Sequence, residues 1–209
     1  MAPRYVSLDL ETTGLDTESD EIIEVGAIAF DLDGVLGEYQ TLVRPYRAPS
    51  YTIERLTGIH EADLESAPHL AAVLGEVREF IGTSAVVGQN PAFDLAFLER
   101  AGVRISSPAY DTFDLAQVLL PSLGEYSLRA LAAALAIEFP LRHRAMADAE
   151  AARAVFLALR RRLGEQPLWL VEEMARLAES TRWSLGQLCR EVLAEKPGGP
   201  ITGDWQPRT

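Results

Sequence analysis

The chain has little cysteine, little lysine and no long apolar run, and each shortage argues against a class of protein. Cys189 is the one cysteine among 209 residues, so no internal disulfide or cysteine-based zinc site can form. No apolar stretch approaches the roughly 18 residues that a membrane-spanning helix needs. Residues 1–4 precede the first predicted strand without the apolar region of a signal peptide. We therefore expect a cytoplasmic protein that makes no membrane contact.

Positive charge is scarce as well. Lys196 is the one lysine among 19 basic residues, and 31 acidic residues give a formal net charge of −12. A protein that grips a long duplex by its phosphates needs many cationic contacts, so the composition argues against that class. It does not exclude a nuclease that holds a few terminal nucleotides through metal ions. The hydrophobic fraction of 48% and the charged fraction of 24% are typical of a folded domain.

The order of the apolar segments predicts an α/β fold. Three strands open the chain, with a turn at residues 31–34 in which Gly34 would supply a positive φ. Residues 45–62 are expected to be irregular. A helix capped by Ser66 then precedes a short buried strand at residues 85–88, and the remaining helices follow. Strands that open a chain and then alternate with helices form a mixed sheet flanked by helices.

The C-terminal part is predicted to be a separate helical appendage. We expect a main domain at residues 1–164, two helices within residues 165–196 and a loose tail at residues 197–209. Pro167 would begin the first of these helices, and Ser184 with Gln187 would form a capping box for the second.

Two carboxylates mark the first strand. Asp9 and Glu11 alternate with apolar residues, so they lie on one face of the strand at its C-terminal end. Two like charges at such a short distance raise each other's proton affinity unless a cation holds them. The pair is therefore either a metal site or a solvated strand end.

Two further aspartates occupy the first turns of predicted helices. Asp94 precedes Leu98 on an apolar face, and a carboxylate there either binds a cation or caps the helix. Asp148 likewise leads the buried stripe of the last helix of the main domain. His143 comes five residues earlier and is either an ordinary surface or core histidine or a proton acceptor.

Taken together, these residues predict a phosphodiesterase that uses two metal ions. Mg²⁺ and Mn²⁺ prefer oxygen ligands, which the four carboxylates supply. Two such ions stabilise both the attacking and the leaving oxygen in phosphodiester cleavage. A histidine that titrates near neutrality can accept the proton of the attacking water.

Three segments resemble the motifs of the DEDDh, or DnaQ-like, 3′–5′ exonucleases, a family that includes the proofreading epsilon subunit of bacterial replicative polymerase. They are residues 8–14 (LDLETTG), 87–94 (VGQNPAFD) and 143–150 (HRAMADAE). The resemblance covers about residues 4–163 and implies a ribonuclease H-like fold with a five-stranded mixed sheet. Gln89 departs from it, since many members have histidine there.

The resemblance also implies residue roles. Asp9, Glu11, Asp94 and Asp148 would bind the two ions, and His143 would be the general base. Eight further residues would contact the terminal nucleotides: Thr12, Thr13, Gly14, Leu56, Thr57, Ile59, Asn90 and Phe93. For the apolar ones, the alternative is packing in the core.

We thus expect a 3′–5′ exonuclease that releases nucleoside monophosphates from single-stranded DNA, in DNA replication as a proofreader or in DNA repair. Two alternatives remain open: an RNA-trimming exonuclease, and a non-catalytic binding subunit. A DNA polymerase or helicase partner would bind through the C-terminal helices.

Overall fold

The computed structural model of the chain describes residues 4–139, 144–181 and 183–196. Its described part contains a five-stranded sheet flanked by helices, as predicted. The strands are β1 (Tyr5–Thr12), β2 (Ile22–Phe30), β3 (Val35–Leu42), β4 (Ala85–Gly88) and β5 (Ala109–Asp111).

The sheet is mixed, with the strand order β3-β2-β1-β4-β5. β1 lies at its centre, antiparallel to β2 and parallel to β4. β2 and β3 form an antiparallel pair, and β4 and β5 a parallel one. β4 pairs with β1 only along residues 5–7, so the second half of β1 extends past the end of its parallel neighbour. This overhang carries Asp9 and Glu11.

Nine helices are present among the described residues. They are α1 (Tyr51–Thr57), α2 (Glu61–Leu64), α3 (Leu70–Ile81), α4 (Pro91–Arg100), α5 (Thr112–Leu119), α6 (Leu128–Ala134), α7 (Ala145–Glu165), α8 (Leu168–Ala178) and α9 (Leu185–Glu195). The prediction that residues 45–62 are irregular is wrong, because α1 and the start of α2 lie there. Ser50 accepts a hydrogen bond from Ile53 N at the start of α1, and Gly58 ends the helix in the left-handed conformation.

Apolar side chains cover both faces of the sheet. On one face, the alternate β1 residues Val6, Leu8 and Leu10 share a buried cluster with residues of α3 and α4. On the other face, Phe156 of α7 contacts the aromatic rings of three strands, with centroid distances of 5.0 to 6.2 Å to Tyr5, Phe30 and Tyr110. The first part of α7 is therefore fixed to the face that also carries Asp9 and Glu11.

Three details of the turns and caps differ from expectation. α3 begins at Leu70 and not near Ser66, because Pro68 O accepts a hydrogen bond from Arg44 N and holds this segment in a bridge. Gly34 has no positive φ, since the Asp31 carboxylate accepts from Gly34 N and closes the turn instead. Ser184 precedes α9 but makes no capping hydrogen bond.

The described chain divides into two compact units between Leu159 and Arg160, within α7. In the second unit, α8 and α9 contribute buried side chains that include Val171, Leu188 and Val192, and Arg160 pairs with Glu195 at 2.6 Å. The predicted domain bounds at residue 164 and at residue 196 stay predictions, and the tail lies outside the described residues. Among those residues, no helix is both long and apolar enough to span a bilayer.

Candidate nuclease active site

The centre of the site is a cluster of three carboxylates from two elements. Asp9 and Glu11 come from the overhang of β1, and Asp148 comes from the first turn of α7. One carboxylate oxygen from each residue lies within 4.8 Å of the others. Glu11 and Asp148 are 9% and 6% exposed, and Asp9 is partly buried. The structure thus brings together three of the four predicted metal ligands.

Asp94, the fourth predicted ligand, approaches the same strand from the first turn of α4. Its Oδ1 accepts a hydrogen bond from Leu10 N at 2.9 Å. Because β4 ends before this point, Asp94 contributes the acceptor that a neighbouring strand would otherwise provide. Asp94 is 4% exposed, and its charge acts on Asp9. Asp94 therefore borders the cluster of three carboxylates and shares its electrostatics.

Burial and mutual repulsion raise the pKa values of the carboxyl groups. Burial raises the pKa of Asp9 well above its ordinary value, and the charges of Asp94 and Asp148 raise it further. Burial, followed by the charge of Asp148, raises the pKa of Glu11 to about 8. Burial also raises the pKa of Asp94 to about 8, although the hydrogen bond from Leu10 N opposes the shift. These anions are unfavourable together unless positive charge balances them.

The donor set suits a hard divalent cation. All three clustered groups offer carboxylate oxygens, the ligand type that Mg²⁺ and Mn²⁺ prefer. A cation that binds here would replace the protons that burial and repulsion hold on the carboxyl groups. The cluster and Asp94 are therefore the residues that could hold metal.

A rigid turn follows the acidic strand. Thr12 Oγ1 donates to Gly14 O at 2.6 Å, and Thr13 Oγ1 donates to the Asp20 carboxylate at 3.0 Å. A Cβ atom on Gly14 would lie 2.4 Å from Asp20 Oδ2, so a side chain cannot be accommodated without moving that carboxylate. Thr12 is 8% exposed, and Thr13 and Gly14 are partly buried. Hydrogen bonds thus fix the shape of this turn beside the cluster.

The predicted substrate-contacting residues at the end of α1 and just after it differ in burial. Leu56 is 49% exposed, whereas Thr57 and Ile59 are each 1% exposed. Thr57 Oγ1 donates to Ile53 O and accepts from Ile59 N, and Ile59 belongs to a small core with Ile23 and Leu64. Packing accounts for Thr57 and Ile59, so we retain only Leu56 of the three as a candidate for nucleotide contact.

Of the remaining predicted residues, Asn90 and Phe93 lie within the described part of the chain and His143 does not. Asn90 is exposed in the left-handed conformation just before α4, and Phe93 is partly buried with its ring centroid 5.0 Å from that of Phe97. His143, the predicted general base, lies outside the described residues. Gln89 bonds Tyr126 O and Thr112 Oγ1, which ties the turn before α4 to α5.

The sequence reading missed Glu24 and Arg144, which adjoin the cluster. Glu24 is fully buried in β2, opposite Glu11 in the sheet register, and pairs with Arg144 at 2.7 Å. The available signal was a lone charged residue within the apolar run of residues 22–30. A buried charge in such a run needs a partner.

Comparison with known proteins shows the family to which the fold and the acidic cluster belong. The chain belongs to the exonuclease family RNase_T, whose model matches residues 6–156. The resemblance to this class of exonucleases is therefore confirmed.

A relative in sequence also supports membership of this family. The chain is 36% identical over 169 residues to the PolC-type DNA polymerase III of Oceanobacillus iheyensis; the match covers 78% of this chain and 12% of that polymerase. The chain thus spans only a small part of this relative.

Solved structures share the fold. Exonuclease X in complex with 5′-overhanging duplex DNA matches with a TM-score of 0.63 at 22% identity, over 90% of this chain and 98% of that one. Escherichia coli exonuclease I with a dT13 oligonucleotide matches with a TM-score of 0.68 at 20% identity, over 78% and 42% of the two chains. The fold is therefore ribonuclease H-like, as expected.

Proposed function

We propose that the chain is a metal-dependent 3′–5′ exonuclease that hydrolyses terminal phosphodiesters of single-stranded DNA to nucleoside monophosphates. The observation that carries the proposal is the cluster of three carboxylate oxygens within 4.8 Å at the end of β1. A domain without chemistry has no physical need for several buried carboxylates whose pKa values are raised by one another. The cluster therefore favours an enzyme over a non-catalytic binding subunit.

In this proposal Asp9, Glu11, Asp94 and Asp148 hold two divalent cations, either Mg²⁺ or Mn²⁺. When bound, the cations supply positive charge that stabilises the attacking and leaving oxygens of the phosphodiester. The hydrogen bond from Leu10 N fixes the Asp94 carboxylate. Asp9 and Glu11 are held by β1, and Asp148 is held by α7. These contacts support a site in which four carboxylates converge at the end of β1.

His143 is proposed as the general base. It would take a proton from water, whose oxygen forms the new bond to the terminal phosphorus. The bond from phosphorus to the 3′ oxygen of the preceding nucleotide then breaks. That oxygen takes up a proton and becomes the new 3′ hydroxyl, and the terminal nucleotide leaves as a monophosphate.

The turn at residues 12–14, Leu56, Asn90 and Phe93 are proposed to contact the last nucleotides. Leu56 and Asn90 are exposed, and partly buried Phe93 can offer a ring to a base. The net charge of −12 leaves little positive surface for a longer strand. We therefore expect the protein to contact few nucleotides and to bind with modest affinity alone.

DNA is the proposed substrate because the relatives are named for DNA. They include a DNA polymerase III and two exonucleases solved with DNA. Proofreading or repair is the matching role. We also propose that α8 and α9 are where a DNA polymerase or helicase would bind. A cytoplasmic location remains a prediction from composition.

The test is digestion of 5′-labelled single-stranded DNA and RNA of one sequence with Mg²⁺, Mn²⁺ or EDTA. We expect a metal-dependent ladder that shortens from the 3′ end, with DNA the faster substrate. Asp148→Asn and His143→Ala should abolish or strongly reduce it. Glu150→Gln is a suitable control, since Glu150 is an exposed carboxylate on the same helix that pairs with Arg153.

Three other outcomes would refute part of the proposal. Faster digestion of RNA would support the RNA-trimming alternative and refute the proposed substrate. Absence of cleavage with every metal would refute the enzyme and favour the binding subunit. Activity that survives Asp148→Asn would show that the cluster is not the active site.

A further inference from the structure

Glu24 is a fully buried carboxylate and is not one of the proposed metal ligands. It is 0% exposed, lies in β2 and faces Glu11 across the antiparallel register. A buried carboxylate is costly unless hydrogen bonds and opposite charge compensate for the loss of water. The contacts of Glu24 therefore show what it does for the fold.

Those contacts are directed at the start of α7. Arg144 donates to Glu24 through Nη2 at 2.7 Å and through Nε at 3.0 Å, which is a two-pronged ion pair. Ala145 N, at the first position of α7, donates at 2.9 Å, and Gln40 of β3 donates at 2.9 Å. Both oxygens of Glu24 are thus occupied, so Glu24 is not a further metal ligand.

The same contacts lead directly to the acidic cluster. The carbonyl oxygen of Arg144 accepts a hydrogen bond from Asp148 N at 2.9 Å. One residue therefore connects Glu24, through its side chain, with Asp148, through its backbone. Arg144 also follows His143 directly in the sequence.

Two neighbouring contacts limit where α7 can begin. A Cβ atom on Gly26 would lie 2.3 Å from Ala145 C and Met146 N, so the helix start lies directly against β2. Ser7 Oγ donates to Ala149 O at 2.7 Å and fixes the next turn to β1. Close packing sets the distance between helix and sheet, while the Glu24–Arg144 pair can set the position of the first turn along the sheet.

We propose that Glu24, through its ion pair with Arg144, is a positioning residue that sets the first turn of α7 so that Asp148 meets Asp9 and Glu11. The inference rests on the proposed function, because its consequence is a correctly assembled metal site. Glu24 acts through Arg144 and contacts neither metal nor substrate. Its loss displaces a ligand by a small distance and leaves the fold in place.

The test uses the full chain with Glu24→Gln, which keeps the shape of the side chain but removes its charge. Residues that orient metal ligands typically change metal affinity or activity about 10–100-fold. We expect a fall of that size in kcat and in Mn²⁺ affinity, the latter measured from the paramagnetic resonance signal of free Mn²⁺. The KM for an oligonucleotide should change little. Hydrogen exchange at the amides of residues 146–149 should be faster than in the wild type, whereas exchange at the amides of β1 should not change.

Arg144→Lys separates positioning from simple charge and also remains informative if Glu24→Gln fails to fold. Lysine keeps the positive charge but cannot make the two-pronged contact. We expect a smaller loss in the same direction in kcat, Mn²⁺ affinity and amide protection. Glu150→Gln removes a carboxylate from an exposed Glu–Arg pair on the same helix and should match the wild type in all measurements.

Two results would overturn the inference. One is a Glu24→Gln variant with wild-type kcat and Mn²⁺ affinity. The other is an Arg144→Lys variant that matches the wild type in both, because the effect of Glu24 would then be one of charge alone. If the wild-type chain itself cleaves nothing, the proposed function fails, but Mn²⁺ affinity and amide exchange still test the positioning role.

Discussion

Replacing Glu11 by glutamine should change how the stability of the metal-free protein depends on pH. The pKa of Glu11 is about 8 in the folded protein and 4.5 as the ordinary value. Between these values the folded state holds a proton that the unfolded state has lost. Stability through this group is therefore fully present below pH 4.5 and is lost as the pH rises towards 8. Glutamine cannot ionise, so Glu11→Gln removes this loss.

The size of the effect follows from the shift. One pKa unit corresponds to about 1.4 kcal/mol, so the variant should gain roughly 3–4 kcal/mol relative to the wild type between about pH 5 and pH 8. The assay is urea denaturation in EDTA at several pH values, followed by circular dichroism. Divalent metal should narrow this difference at high pH, because a ligand at 100 times its Kd stabilises the folded wild type by about 2.7 kcal/mol.

The comparison has a clear negative outcome. A difference between Glu11→Gln and the wild type that stays constant across this pH range would show that Glu11 ionises normally. The acidic cluster would then not be the repulsive, cation-seeking site described above. Glu150→Gln provides the control, because it removes an exposed carboxylate that pairs with Arg153 on the helix that also carries Asp148.

Three further predictions concern other parts of the molecule. His143→Ala should lower kcat about 10²–10⁴-fold and remove the rise of kcat with pH near neutrality; a variant that keeps this rise would exclude His143 as the base. Gly26→Ala should cost about 1–3 kcal/mol in urea denaturation, because the added Cβ meets the backbone of Ala145, and an unchanged midpoint would contradict that contact. Burial raises the pKa of the Cys189 thiol to about 11, so a thiol reagent should label it only on unfolding; rapid labelling of the native protein would refute this.

Local patterns in the sequence predicted the elements that carry the site. Alternation placed Asp9 and Glu11 on one strand face, and helical periodicity placed Asp94 and Asp148 in first turns. These signals are local and depend on side-chain direction within one element. Their convergence followed only from combining the motifs.

Contacts between distant segments could not be predicted in the same way. Glu24 and Arg144 are separated by 120 positions, and neither residue alone indicates its partner. The start of α3 shows the same limit, because a bridge between Arg44 and His69 overrides the local cap signal at Ser66. Thr57 and Ile59 share a motif with Leu56, yet tertiary packing buries them.

The overhang of β1 has a consequence for the synthesis of the chain. Asp9 and Glu11 are made long before α7, and Ser7, which anchors α7, bonds a residue 142 positions later. The acidic cluster therefore cannot exist until α7 has been made and has packed on the sheet. A ribosome-bound fragment without this helix would carry the first motif of a nuclease and no nuclease site. Metal-dependent stabilisation should appear only when synthesis has passed Asp148, which makes it a reporter of completed folding.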